Sequence, residues 1–370
     1  DYARVAARLT GVLSNWNELP TARWDGQIEQ LLLQPPDYEQ LTLQEAAPLS
    51  LAGNSVSLET ACLIGVADSR LCLDAQWNPE GLNANATLHE VALNALASLA
   101  QSPRSYSQYA NGHLKIDWPT GGEINGSGKI DLSPGLVSLA DDETVTVATG
   151  EGTAHFELLS GSIRNGRLDL DLPGNGLLDI DFNVSDLEDY ANSPIVGTVR
   201  VELADVGAIW QLIPVFDTVD GKLALDAQLS GNVSAPIVTG TLDLRDGLFI
   251  HEVSGLTLRD ISLSGDISNR GSSSLQGRFM AGEGEGQLNL DLDLTDPAAP
   301  LARLGLKGEG LTLISTPDLD LAADPDIRLE WQDRKLTIDG RVYVPDLLLS
   351  PTRIPVSAAV ESADVNIVSG

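Results

Sequence analysis

Residues 166–184 read GRLDLDLPGNGLLDIDFNV, and this stretch decides the fold class. Apolar and acidic residues alternate with a period of two on both sides of a PGNG turn. Such alternation places the apolar side chains on one face of a strand and the acidic side chains on the other. The stretch therefore predicts a β-hairpin with one apolar face. Its apolar positions are Leu168, Leu170, Leu172, Leu178, Ile180, Phe182 and Val184.

The same alternation returns along more than half of the chain, notably in GKLALDAQLSG, GQLNLDLDLTD and IRLEWQDRKLTIDGRVYV. Glycine-containing turns between these stretches imply strands of roughly 6 to 12 residues in an antiparallel meander. A sheet with one apolar face must cover that face, either against a second sheet or by curling on itself. The further residues predicted on the apolar face are Leu223, Leu225, Leu229, Leu242, Leu244, Leu288, Leu290, Leu292, Leu294, Leu329, Leu336, Ile338, Val342 and Val344.

Composition excludes several classes of function. The 370 residues carry 22 Lys and Arg against 53 Asp and Glu, a formal net charge of −31. Nucleic acid is therefore excluded as a partner, because phosphate binding needs a basic surface. An apolar content of 42% is too high for a disordered acidic tail. The sequence has no stretch long and apolar enough for a membrane span, and it starts and stops within patterned sequence, so we expect an excised fragment.

Two cysteines, Cys62 and Cys72, flank the turn-like VADSR segment. If the flanking segments pair as a hairpin, the two sulfur atoms come opposite each other and can form a disulfide. A disulfide would favour an oxidising compartment. Two unpaired, half-buried thiols are the alternative.

Helical spacing is rare. It predicts a helix between Tyr2 and Trp16, a second between Leu88 and Leu99, and a third between Val206 and Ile213 with Asp205 as N-cap. We interpret these as packing elements between strands, with a lid over an open apolar face as the alternative.

Signatures of catalysis are sparse. His89, His113, His155 and His251 lie far apart in the sequence, and none has a partner at metal-ligand spacing. The paired aspartates sit at i and i+2 on the predicted solvent face, without the loop of an EF-hand. We therefore predict a protein that is not an enzyme and has no catalytic residue, no metal and no cofactor.

The order of motifs from residue 221 onward resembles the TamB family of the translocation and assembly module, within the AsmA-like, bridge-like lipid transfer proteins. The matching features are the strand GKLALDAQLSG, the following APIVTGTLDLRDG, then GLTLRDISL, and later GEGEGQLNLDLDL. The segment from PDLDLAADPDIRLEW to ESADVNIV is similar to the family's next segment. Cys62 and Cys72 also fall in a region similar to the family's cysteine hairpin.

The resemblance implies a β-taco, a long antiparallel sheet folded lengthwise around an elongated hydrophobic groove, with a few short helices. It implies a periplasmic location, an inner-membrane anchor helix outside this fragment, and a TamA-like outer-membrane barrel as partner of the full-length protein. We divide the chain into β-taco segments 1–110, with helices and the cysteine hairpin, 111–220, and 221–370, with the strongest motifs. All three are expected to form one continuous elongated body.

Three hypotheses for function follow. The first is a conduit that conducts phospholipid between the two membranes along the groove lined by the residues listed above. The second is a scaffold that assists assembly of outer-membrane proteins or autotransporters together with TamA, by pairing at sheet edges. The third, a polysaccharide-binding surface protein, would need an aromatic platform, and the six tryptophans look too scattered for one.

Overall fold

The computed structural model describes residues 4–15, 17, 21–34, 40–66, 69–99, 105–138, 146–187, 189, 191–208, 217–293, 295, 301–332 and 335–350. Of the structure, 78% is strand and 3% is helix, which confirms the mainly β class. The helical elements of the described residues are α1 (Leu93–Leu99) and a 3-10 turn at Val206–Ala208.

The strands of the first half are β1 (Arg4–Ser14), β2 (Arg23–Gln34), β3 (Leu41–Leu43), β4 (Ala47–Ala52), β5 (Ser55–Ile64), β6 (Arg70–Asn78), β7 (Gly81–Ala92), β8 (Tyr109–Pro119), β9 (Asn125–Leu132), β10 (Gly135–Ser138), β11 (Thr146–Thr149) and β12 (Gly152–Leu159). Those of the second half are β13 (Ser162–Leu172), β14 (Gly176–Val184), β15 (Ile195–Leu203), β16 (Thr218–Asn232), β17 (Ala235–His251), β18 (Leu256–Ser268), β19 (Ser272–Ala281), β20 (Gly284–Asp293), β21 (Leu301–Glu309), β22 (Leu311–Ser315), β23 (Leu319–Gln332) and β24 (Lys335–Leu349).

One curved antiparallel sheet of 22 strands contains all of these except β10 and β11, which form a separate hairpin. Most neighbours in the sheet are consecutive strands, and β9 pairs with β12 across the inserted hairpin. β3 and β4 both lie between β2 and β5, and β21 and β22 both pair with β23. At about 4.8 Å per strand the sheet extends roughly 90 Å along its curved path. The chain is therefore a single long meander, and hydrogen bonding continues across the predicted segment boundaries at residues 110 and 220.

The prediction of a helix between Tyr2 and Trp16 is wrong, because Arg4–Ser14 forms strand β1. Val5, Leu9 and Leu13 share one strand face with Ala7 and Gly11 between them. Since Ala7 and Gly11 are small, the larger apolar residues recur every four positions and imitate helical spacing. Pairing of β1 with β2 along its whole length overrides this local signal.

The other two helices are shorter than predicted. Leu88–Ala92 continues strand β7, and the helix occupies only Leu93–Leu99. After β15, Asp205 caps the 3-10 turn as expected, since its Oδ1 accepts the Gly207 N–H at 2.7 Å. The remainder of that predicted helix, residues 209–213, lies outside the described residues.

Several strands bend at β-bulges, where one strand carries an extra residue and the pairing register shifts. Glu90, Asn165, Asp246 and Asp260 occupy such positions with φ between 48° and 54°. Asparagine side chains on neighbouring strands satisfy two of the displaced amides, since Asn111 Oδ1 accepts Glu90 N–H and Asn183 Oδ1 accepts Asn165 N–H. Two of the four bends thus have their displaced amide satisfied by a side chain, and bulges of this kind bend the sheet.

Many of the most buried residues collect near the bends. In β5, β7, β8 and β18 they lie at the strand ends that we call the closed margin, whereas Leu158 and Val184 are buried at the opposite ends of β12 and β14. Val91 and Ile261 directly follow the bulges of β7 and β18 and are 3% exposed. Strand β22 folds across the ends of β18 to β20, where the Ser315 N–H donates to the Ser254 carbonyl at 2.9 Å. This packing produces the main hydrophobic cluster: Ile261, Phe279, Ala281 and Leu311.

Candidate lipid groove

Strand register joins the predicted apolar positions into one row that crosses fourteen strands. Each member is the direct cross-strand partner of the next. The central row is Ala110, Leu132, Gly152, Leu170, Leu178, Val201, Leu225, Leu242, Gly265, Leu275, Leu290, Leu304, Leu329 and Ile338. None of its members is charged or polar, so no ionised side chain of the row interrupts this path of about 60 Å.

A parallel row runs beside it through the second half of the sheet. Leu203, Leu223, Leu244, Leu263, Gly277, Leu288, Leu306 and Ile327 are successive cross-strand partners. Because side chains alternate between faces along a strand, both rows lie on one face, which we call the apolar face. Charged residues occupy the opposite, polar face.

Burial divides the predicted groove residues into three groups. Most are half-buried, neither sealed as in a core nor free in water: Leu168, Leu170, Leu178, Ile180, Phe182, Leu223, Leu225, Leu229, Leu242, Leu244, Leu288, Leu290, Leu292 and Leu329. Val184 is 3% exposed and belongs to the buried interior. Leu336, Ile338, Val342 and Val344 on the outer strand β24 are exposed, and Leu294 lies outside the described residues.

The strand ends opposite the closed margin form the second border of the apolar face, which we call the open margin. Across the first eight strands the direct cross-strand partners at this border are Leu13, Trp24, Leu51, Val56, Trp77, Leu82 and Trp118. Trp77 is 46% and Trp118 is 53% exposed. The expectation that the tryptophans are scattered is therefore wrong for these three, since the fold collects them in one row.

Sequence reasoning missed this row because it depends on the register of several successive strand pairs. The sequence does indicate the face on which the tryptophans lie, since Trp118 follows Leu114 and Ile116 with a period of two. Trp77 likewise follows Leu73 and Ala75. Alignment of successive hairpins by their turns would have placed both at the same strand end.

The polar face carries ion pairs between arginine and aspartate side chains. Arg167 Nη2 lies 2.7 Å from Asp169 Oδ1, and Arg167 also pairs with Asp179 and Asp181. The hydrogen bond from Arg167 lowers the pKa of Asp169, whereas burial raises the pKa of Asp179. These groups keep the face opposite the groove charged and hydrated.

The predicted disulfide is present, since Cys62 and Cys72 are bonded and are direct cross-strand partners. The disulfide lies on the polar face, because Cys72 pairs with Thr87, which pairs in turn with His113. The bridge therefore staples the β5–β6 hairpin without entering the groove.

Comparison with known protein families gives two adjoining matches. Residues 3–244 match the model of the TamB N-terminal domain, and residues 272–370 match the model of the TamB C-terminal domain. The chain belongs to the TamB family. No solved structure matches it.

Membership of the TamB family gives the chain a TamB-like role in the translocation and assembly module, a periplasmic transport and assembly system. In the described part of the chain, none of the helices combines the length and hydrophobicity that a membrane crossing requires.

Proposed function

We propose that the apolar face is a conduit for phospholipid acyl chains between the inner and outer membranes. The observation that carries this proposal is the central row, which remains aliphatic and uncharged across fourteen strands while most of its members stay half-buried. A structural core would bury such residues completely. A partly covered aliphatic face is the expected condition of a groove that a second molecule completes.

The energetics favour such a path. Exposure of a 16-carbon acyl chain to water costs on the order of 13 kcal/mol, at about 0.8 kcal/mol per CH₂. An eight-residue strand is about 26 Å long, and one leaflet contributes about 15 Å of hydrocarbon. The strands are thus long enough to shelter acyl tails lying along them. The net charge of −31 keeps the outside of the conduit soluble and repels other copies.

The first test is native mass spectrometry of the purified full chain, in which we expect co-purified phospholipid. The variant Leu290→Arg places a charge in the central row, and we expect it to abolish lipid binding while the fold persists, since a half-buried site can hydrate the charge. Asn289→Arg is the matched control, because the neighbouring side chain is exposed on the polar face. Unfolding of Leu290→Arg, or equal lipid content in both variants, would contradict the conduit.

A second candidate, a scaffold for outer-membrane protein strands, is supported by the outer strands. Among the described residues β24 pairs only with β23, and Leu347, Leu348 and Leu349 on it are 59–68% exposed. Open edges of this kind accept a further strand by β-augmentation. A photo-crosslinker at position 225 discriminates the candidates, because a conduit yields phospholipid adducts and a scaffold using the groove yields polypeptide adducts.

We further propose a TamA-like outer-membrane barrel as partner, which family membership supports in general, and an inner-membrane anchor helix in the full-length protein. Co-purification of the full-length protein with TamA, compared with this chain alone, tests whether the partner contact lies within these residues.

A further inference from the structure

The seven cross-strand partners from Leu13 to Trp118 at the open margin, which we call the tryptophan row, have a composition unlike the rest of the apolar face. Three of its seven members are tryptophans, whereas the central row contains only aliphatic residues and glycine. The ring of Trp24 lies over the cross-strand glycine pair Gly11 and Gly26, where any larger side chain would collide with the indole. The sequence thus makes room for the aromatic side chain at this point.

Exposure falls from the open margin to the closed margin on β7 and β8, whereas Val5 at the closed-margin end of the outer strand β1 stays 66% exposed. Trp77 and Trp118 at the open margin are about half exposed, whereas Ala61 and Val91 at the opposite strand ends are 5% and 3% exposed. Ala110, at the other end of the strand that carries Trp118, is fully buried. A molecule that enters the apolar face along β8 therefore meets Trp118 first and the closed margin last.

Indole suits a boundary between an apolar and a polar medium, because its rings are apolar and its N–H donates a hydrogen bond. Tryptophan is enriched for this reason at the level of lipid headgroups in membrane proteins. The other row members, Leu13, Leu51, Val56 and Leu82, offer no side-chain hydrogen bond, so the row does not have the polar neighbours that a sugar-binding platform would require.

Strand length sets how far a lipid could extend from the row. Trp118 and Ala110 are eight residues apart on β8, a distance of roughly 26 Å, which exceeds the depth of about 15 Å of one leaflet. We propose that the tryptophan row holds the glycerol and ester level of bound phospholipid, with the acyl chains directed along the strands toward the closed margin. This inference rests on the proposed conduit and specifies the orientation of its lipid.

The test is fluorescence quenching in full chains loaded with phosphatidylcholine brominated near either the ester end or the methyl end of its acyl chains. One chain keeps Trp118 and has the other five tryptophans replaced by Phe. A second keeps all tryptophans of the row and carries Ala86→Trp, and the signal of position 86 is taken as the difference from the chain without this substitution. Ala86 is chosen because it is half-buried and lies four residues from Leu82 along β7, roughly 13 Å deeper. The third carries Asp117→Trp on the polar face as the matched control.

We expect Trp118 to be quenched roughly two-fold more by bromine at the ester end, and the tryptophan at position 86 to show the reverse preference, since the two depths differ by most of a leaflet. The tryptophan at position 117 should be quenched by neither lipid. Quenching at 86 with none at 118, or the same preference at both, would overturn the proposed orientation and leave the conduit standing. No quenching at either site would count against the conduit itself.

Circular dichroism and thermal unfolding establish that each chain is folded. If the chains with substituted tryptophans do not fold, benzoylphenylalanine at 118, 86 and 117 in the otherwise unchanged sequence gives the same comparison. Mass spectrometry then locates each adduct on the lipid. Attachment near the glycerol from position 118 supports the orientation, and attachment near the terminal methyl from 118 contradicts it.

Discussion

Two regions of the apolar face are built from the same residue types and differ in burial. The cluster of Ile261, Phe279, Ala281 and Leu311 is at most 3% exposed, because β22 folds across it. Members of the central row such as Leu225 and Leu290 lie on the same face of the same sheet and remain half-buried. Composition therefore does not separate the buried from the half-buried apolar residues here, and the course of the chain around them does.

The comparison also shows how the two regions depend on each other. A sheet with one apolar face is stable only if part of that face is covered. The closed margin supplies this cover through bulges and the return of β22, so the rest of the face can stay accessible. The buried cluster is expected to determine stability, and the central row is expected to determine what the chain binds.

The largest effect is expected from Phe279→Ala. Removal of a buried phenylalanine costs about 3–5 kcal/mol of unfolding free energy, because the ring packs over Gly286 and nothing fills the space. Leu225→Ala in the central row should cost only about 1 kcal/mol, since its side chain is already partly hydrated. Urea unfolding of both variants measures the difference.

Lipid content should respond in the opposite order. Phe279→Ala, studied below its unfolding temperature, should retain lipid, and Leu225→Ala should lose part of it. Equal losses of stability in the two variants would show that the central row is a sealed core, which would remove the distinction between the regions.

The disulfide gives the next largest expected effect. Cys72→Ser removes the disulfide, which joins two residues ten positions apart. In the chain-entropy description this loss lowers the free energy of unfolding by about 2–3 kcal/mol. Because the bridge lies on the polar face, lipid content of the folded variant should stay at the level of the unmodified chain. The unmodified chain treated with reductant is the control and should show a similar midpoint in urea. Loss of lipid without loss of stability would place the cysteines in the groove.

Much of the fold follows from local pattern. Period-two alternation identifies the strands and their faces, and PGNG at 173–176 and the segment after Cys62 mark hairpin turns that the structure contains. The curvature of the sheet is predicted from the resemblance to the TamB family and not from the local pattern. The residues predicted for the groove fall on one face because alternation is a property of the strand itself.

What the sequence hides is set by the pairing of one strand with the next. Strand β1 looks helical because Ala7 and Gly11 interrupt its larger apolar residues. The bulges that curve the sheet sit at Glu90, Asp246 and Asp260, of which glutamate in particular carries no signal for a left-handed backbone. To predict the tryptophan row one would need the pairing register of seven strands, and each bulge shifts the register of the strands that follow. Local propensity contains none of this information.

Substitutions on the polar face are expected to have the smallest effect on stability and none on lipid content. Arg167 lowers the pKa of Asp169 below its ordinary value of 3.8, so the pair stabilises the folded state above that pH and loses its effect as the pH falls through the lowered pKa. Burial raises the pKa of Asp179, which acts in the opposite sense and offsets part of this gain.

Arg167→Gln should therefore reduce stability modestly near neutral pH, and the difference from the unmodified chain should shrink as the carboxyl groups become protonated below about pH 4. Urea unfolding at both pH values measures this, with Arg200→Gln as control, because the Arg200–Asp226 pair is exposed and contributes little. Lipid content should not change in either variant. A loss of lipid from Arg167→Gln would mean that the two faces are coupled through the sheet, and the polar face would then belong to the functional site.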